Sequence, residues 1–63
     1  MKTYKYQTLE LVCDNTIKND WINQLNNFLD LYENKDYKVH SILNQGYNND
    51  RTYWKTILLE KSI

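Results

Sequence analysis

YKVHSILNQGYNNDRTYWKTILLEK, residues 37–61, decides the fold. Two stretches of eleven residues, 37–47 and 51–61, flank Asn48-Asn49-Asp50. Asn and Asp tolerate the left-handed backbone that tight turns need. Tyr, Val, Ile, Thr and Trp recur on both sides, as strands prefer. A β-hairpin is predicted, with Gly46 a candidate bulge just before the turn.

The turn length sets which side chains share a face, because one residue of slip inverts a strand. A three-residue turn puts Tyr37, Val39, Ser41 and Leu43 with Tyr53, Lys55, Ile57 and Leu59. His40, Ile42, Trp54, Thr56 and Leu58 then lie opposite. A two-residue turn moves Val39 and Leu43 to the side of Trp54 and Leu58. It leaves His40, Ile42, Tyr53, Ile57 and Leu59 on the other side. Both registers stay open, and in both the second face holds an aromatic and at least two aliphatics. Apolar patches of that kind on a small domain usually meet a partner.

Ahead of the hairpin, Ile17, Trp21, Leu25, Phe28 and Tyr32 recur at helical steps, widened by Ile22 and Leu29. The period predicts an amphipathic helix over 16–33. Lys18, Asn19, Asn23, Gln24, Asn26, Asn27 and Asp30 form its polar side. Asp14, Asn15 or Thr16 can cap its first N–H groups, with Asp20 near the positive end of the dipole. Interior Asn residues lower intrinsic helicity, so packing must hold the helix. Residues 3–13 read as a strand, with Tyr4 and Tyr6 on one face and Leu9 and Leu11 on the other. A bulge near Gln7-Thr8, or two buried faces, reconciles that pattern.

The expected fold class is α+β: a three-stranded, antiparallel-type sheet in β-α-β-β order, with one amphipathic helix on one face. The helix returns the chain, and the first strand can sit beside the third, giving spatial order 1-3-2. Such a sheet leaves two open edges, an invitation to pair with a second copy. The whole chain, 1–63, is expected to be one small domain.

Tyr4-Lys5-Tyr6-Gln7, Leu25-Asn26-Asn27-Phe28, Asp36-Tyr37-Lys38-Val39 and the closing stretch 55–61 together resemble a family of very small bacterial and phage β-α-β-β proteins. That family is described as a domain of unknown function. Its members open with a Tyr-x-Tyr strand, carry a Leu-Asn helix and enter the next strand through Gly-Trp-Glu-Leu-Val. Here the Gly-Trp pair reads Asp36-Tyr37. The resemblance implies a fold and no activity.

Composition narrows the function. Cys13 is the only cysteine, so a disulfide framework is excluded. With His40 it supplies two ligands, fewer than the about four of a structural zinc site. Eight basic and eight acidic side chains cancel, which argues against gripping nucleic acid through its phosphates. Ile57-Leu58-Leu59 is the longest wholly apolar run, far short of a spanning helix. Residues 1–6 lack the apolar core of a signal peptide. A soluble chain in a reducing cytoplasm, with no membrane partner, is the expectation. At this size a core alone seldom gives more than about 3–5 kcal/mol. With neither disulfide nor metal, self-association is the leading expectation. Nine Asn, seven Lys, five Ile and six Tyr, against one Gly, one Arg and no Ala or Pro, follow AT-rich codon usage. That points to an AT-rich bacterial or phage gene.

No catalytic signature is present, and a non-enzymatic protein without metal or cofactor is expected. Cys13 lacks the base and electropositive setting of a nucleophile, and Asp14 beside it opposes a thiolate. A lone His40 fits a packing or interface role better than a general base. Asp14, Asp20, Asp30, Asp36 and Asp50 fall at caps, helix surface and turns, where carboxylates cap or solvate. One Gly cannot build a phosphate loop. The aromatics are the richest feature, since Tyr and Trp suit interfaces and also stack on bases. Tyr4, Tyr6, His40, Ile42, Arg51, Tyr53, Trp54 and Lys55 are the candidate binding residues. The leading expectation is a homo-oligomer that binds and inhibits a host protein, encoded by a phage or mobile element. The alternatives are an oligomeric sink that holds a nucleotide signal in pockets between subunits, and a structural oligomer without external ligand.

Overall fold

The computed structural model describes residues 3–63. Strand β1 (Tyr4–Asp14) leads to helix α1 (Asp20–Asp30), a 3-10 turn (Tyr32–Asn34), β2 (Lys38–Tyr47) and β3 (Thr52–Ser62). The three strands form one antiparallel sheet in the order β1-β3-β2. Fold class and strand order are those the sequence predicts.

Register departs from expectation on both sides of β3. β1 pairs with β3 without interruption, from Tyr4 opposite Ser62 to Asp14 opposite Thr52. Of the two expected explanations for its pattern, neither the bulge near Gln7-Thr8 nor a second buried face is present, since Tyr4, Tyr6 and Val12 are exposed. The mixed pattern arises because Leu9, Leu11 and Cys13 turn to the helix while Tyr4, Tyr6 and Val12 turn away. β2 instead carries two irregularities, between Val39 and Ser41 and between Ile42 and Asn44. His40 and Leu43 are the extra residues, and each shifts the pairing by one. Val39 thus opposes Leu59 and Ile42 opposes Ile57, all on the helix side. Each expected register holds over part of the hairpin and neither over all of it. Gly46 is not in a bulge; it pairs regularly with Trp54.

Tyr47 pairs with Tyr53, and residues 48–51 form the tip. Asn48 and Asn49 donate backbone N–H groups to the Thr52 carbonyl at 3.0 and 3.3 Å. Asn49 Oδ1 accepts from the N–H groups of Arg51 and Thr52 at 2.8 and 3.0 Å. An Asn side chain that mimics a backbone turn is the reason this residue type closes such loops.

The helix is shorter than its apolar period. Asn19 sits in the left-handed region (φ 56°, ψ 39°) and makes no side-chain cap bond. Asn is among the few residue types enriched in that conformation. It turns the chain sharply into Asp20, so Ile17 stays outside the helix. Asp14 does not cap α1; its Oδ1 accepts from the Thr16 N–H and hydroxyl at 2.8 and 2.6 Å. At the far end the Asn34 side chain donates to the Phe28 carbonyl at 3.1 Å. Tyr32 falls in the 3-10 turn and is exposed.

The core is Leu11, Cys13, Leu25, Tyr37, Ile57 and Leu59, with Leu9, Trp21, Phe28, Leu29 and Tyr53 packed against it. Ile57 and Leu59 are wholly buried, because β3 is the central strand and lies under the helix. The helix packs on β1 and leaves β2 bare. Val39, Ile42 and Tyr47 are exposed in consequence. The molecule is a flat slab of 45 × 22 × 13 Å.

Candidate functional site

Besides the bare helix side of β2, two further surfaces of the sheet lack a cover. The first is the face away from the helix. By register it carries Tyr4, Tyr6, Thr8, Glu10 and Val12 from β1, with Trp54, Thr56, Leu58 and Glu60 from β3. Tyr4 and Tyr6 are exposed, with ring centroids 6.4 Å apart. The His40 ring meets Tyr6 edge-on at 5.9 Å, across the central strand. That geometry is favourable for paired π-systems. The His40 bulge thus faces this side, where Nδ1 lies 3.2 Å from Ser41 Oγ.

Trp54 occupies the other end of the same face. Its indole lies across Gly46, where an added Cβ would come within 2.7 Å of Cζ2. Only a residue without a side chain leaves that floor free, so Gly46 serves close approach. Ile42 does not join Trp54 here. It points to the helix side opposite Ile57, so of the hairpin's large apolar residues that the register pairs, only Trp54 and Leu58 lie on this face. The expectation of two hairpin aliphatics is corrected by the bulges; Val12 on β1 adds a second aliphatic to the face.

The second surface is the outer edge of β1. Backbone groups alternate in direction along an antiparallel strand. Asn15 N–H donates to Arg51 and Thr3 accepts from Ile63, so odd-numbered residues face β3. The N–H and C=O groups of Tyr4, Tyr6, Thr8 and Glu10 therefore point outward. Beyond Glu10 the helix closes the edge. Gln24 Nε2 donates to the Val12 carbonyl at 2.8 Å, and Asp20 Oδ2 accepts the Asp14 N–H at 2.8 Å. Gln24 also bonds Asp20 at 2.9 Å, which fixes both plugs.

The remaining candidates divide among other places. Tyr53 lies on the helix side, half-buried, and its hydroxyl accepts the Trp21 backbone N–H at 3.3 Å. That N–H is one of the helix's orphan donors, so a β3 side chain does the work the Asn19 cap does not. Burial pushes the Tyr53 hydroxyl up from its ordinary pKa. Burial likewise pushes the Cys13 thiol up, opposed by a hydrogen bond from Tyr53. A sealed, protonated thiol is the opposite of an activated nucleophile. Arg51 is exposed at the hairpin tip, apart from the Tyr4, Tyr6 and His40 cluster. The Thr16 hydroxyl and N–H hold the Asp14 carboxyl below its ordinary pKa. Among the described residues no group of three or more His, Cys, Asp or Glu side chains converges as a metal site.

Lys55 belongs to a feature that sequence reasoning missed. Its Nζ stands 4.4 Å from the Trp21 ring centroid and donates to Gln45 Oε1 at 3.2 Å. Both lie in a groove of about 480 Å³ beside bare β2, which Lys18, Tyr47 and Tyr53 also line. The groove exists because the helix crosses β1 and not β2, and no residue pattern states where a helix crosses.

Among the described residues, no helix is long and apolar enough to cross a membrane. Neither a protein-family model, nor a curated protein, nor a solved structure matches this chain.

Proposed function

We propose that this protein is a non-enzymatic binding protein that works as a homodimer, joined through the outer edge of β1. The unpaired backbone of Tyr4, Tyr6, Thr8 and Glu10 carries this reading. A long flat edge is a template for strand addition unless bulges, charge or a cover blunt it. Antiparallel pairing about Gln7 uses every free group: Tyr4 opposite Glu10 and Tyr6 opposite Thr8, in both directions. Lys5 then meets Leu9, and no two like charges oppose one another. A two-fold axis normal to the sheet keeps both helices on one side. The two Tyr4, Tyr6 and His40 clusters merge on the other side into one face.

That merged aromatic face is the surface we assign to a protein target. Tyr and Trp give large rigid contact area at low entropic cost. The AT-rich composition and the 63-residue size suit a phage or mobile-element product, and a host protein is the target we assign to it.

Light scattering across a concentration series tests the assembly. The expected mass is twice the 7.7 kDa of one chain. Thr8→Pro removes an outward N–H and leaves the ladder to β3 intact, so it yields a folded monomer. Tyr6→Lys is the second variant, which adds charge at the same edge. A wild-type monomer at millimolar concentration overturns the reading, as does a dimer indifferent to both changes.

A further inference from the structure

We propose that the groove beside β2 is a binding site for a nucleotide, a flat aromatic ring carrying phosphate, held within a single chain. It lies on the helix side, away from the β1 edge, and stands independently of the dimer.

Its volume of about 480 Å³ falls within the roughly 300–1,000 Å³ of small-molecule sites. Four aromatic residues line it: Trp21, Tyr47, Tyr53 and, beside Gly46, Trp54. Tyr47 and Tyr53 stand 6.2 Å apart at a tilt of 56°, and Tyr47 is 76% exposed. A ring so exposed gains most of its available burial by stacking on a planar ligand.

Charge chooses among planar ligands. Lys18 and Lys55 are the charged groups of the lining, and no carboxylate is among them. The protein as a whole is neutral, so a wholly basic lining is a local arrangement and not a reflection of composition. Lys55 is also held in place, by the Gln45 amide on one side and the Trp21 ring face on the other. A cation fixed beforehand loses less freedom when an anion arrives. Asn15 and Gln45 add amides that can read the edge of a base.

The source of such a ligand is a free mononucleotide or a strand end, and the test separates them. Tryptophan fluorescence and calorimetry are followed on the full chain with AMP, GMP, adenosine, ribose 5-phosphate and a deoxythymidine decamer. A mononucleotide is expected to quench tryptophan fluorescence saturably, since Trp21 and Trp54 both line the groove. Adenosine and ribose 5-phosphate each bind at least about tenfold more weakly, because each lacks one half of the recognised group. Tyr47→Ala and Lys55→Gln each weaken the mononucleotide at least about tenfold. Tyr47→Ala leaves the melting temperature unchanged, because its ring is exposed. Saturation by the decamer with AMP and GMP silent overturns the mononucleotide site. So does the absence of binding at 5 mM ligand (about −3 kcal/mol, the weakest affinity that counts). Wild-type affinity in both variants overturns it as well.

Discussion

The two edges of this sheet flank the same central strand and solve the same problem differently. β2 is bulged at His40 and again at Leu43, so its edge is kinked and its outward backbone irregular. β1 is straight over eleven residues, and its edge is managed from outside, by Gln24 and Asp20 of the helix. That management reaches only the Val12–Asp14 end. Bulges protect a strand along its length, whereas borrowed side chains protect only as far as they reach. The difference places the opportunity for pairing at Tyr4–Glu10.

The comparison is broken altogether by removing what both edges share. Ile57→Ala opens a cavity in the central strand, where the side chain is wholly buried. A loss of about 2–5 kcal/mol consumes most of the stability such a domain has. Thermal denaturation followed by circular dichroism is expected to show a chain largely unfolded at 37 °C. A melting temperature within a few degrees of wild type contradicts the assignment of the core.

Asp20→Ala sharpens it. The change strips the acceptor from Asp14 N–H and lets Gln24 swing from Val12. About 1.5–3 kcal/mol is lost, the range for hydrogen bonds to charged groups. At the same time the free edge lengthens toward Asp14. Amide hydrogen exchange at Asp14 is expected to accelerate more than at Leu9 or Leu11, whose N–H groups face β3. Uniform acceleration along β1 counts against the plug.

Tyr53→Phe acts one step further back, on the helix that supplies the plugs. Its hydroxyl holds the Trp21 N–H, and loss costs about 1 kcal/mol in chemical denaturation. Fraying is expected in the first turn of α1, with the β2 edge undisturbed.

The smallest effect is set by acid. Thr16 holds the Asp14 carboxyl below its ordinary pKa, so the folded state favours the carboxylate. The contribution is present above the unfolded value near 3.9 and is lost as pH falls through the lower folded value. The Asp14 carboxyl itself is open to solvent, which keeps the effect small. Thr16→Ala is expected to flatten the acid limb of the melting temperature below about pH 4. A steeper limb in that variant assigns the wrong sign.

Element order was legible because two periods are plain: helical steps from Ile17 to Tyr32 and strand-forming runs on either side of Asn48-Asn49-Asp50. The strand order followed, since a helix that returns the chain leaves the third strand free to pair with both others. Register was not legible. Bulges at His40 and Leu43 carry no Gly, and the one Gly in the hairpin sits against Trp54. The apolar period overstates the helix because Ile17 and Tyr32 keep it, while Asn19 enters the left-handed region before Asp20 and the Asn34 side chain bonds the Phe28 carbonyl at the far end. Of the candidate residues, Tyr4, Tyr6 and His40 do converge. Ile42 and Trp54 were separated by bulges that composition does not encode. Tyr47 and Trp21 line one groove only because the helix crosses where it does.

The placement of β3 has a consequence for synthesis. The strand that occupies the middle of the sheet comes last of the three in chain order. On a translating ribosome, neither β1 nor the β2 arm has anything to pair with until Thr52–Ser62 emerges. The greasy stripe of the nascent helix waits with them, since Ile57 and Leu59 are its floor. Folding is therefore all at once and late, governed by contacts distant along the polypeptide. A ribosome stalled between the helix and β3 holds an unfolded, protease-sensitive chain.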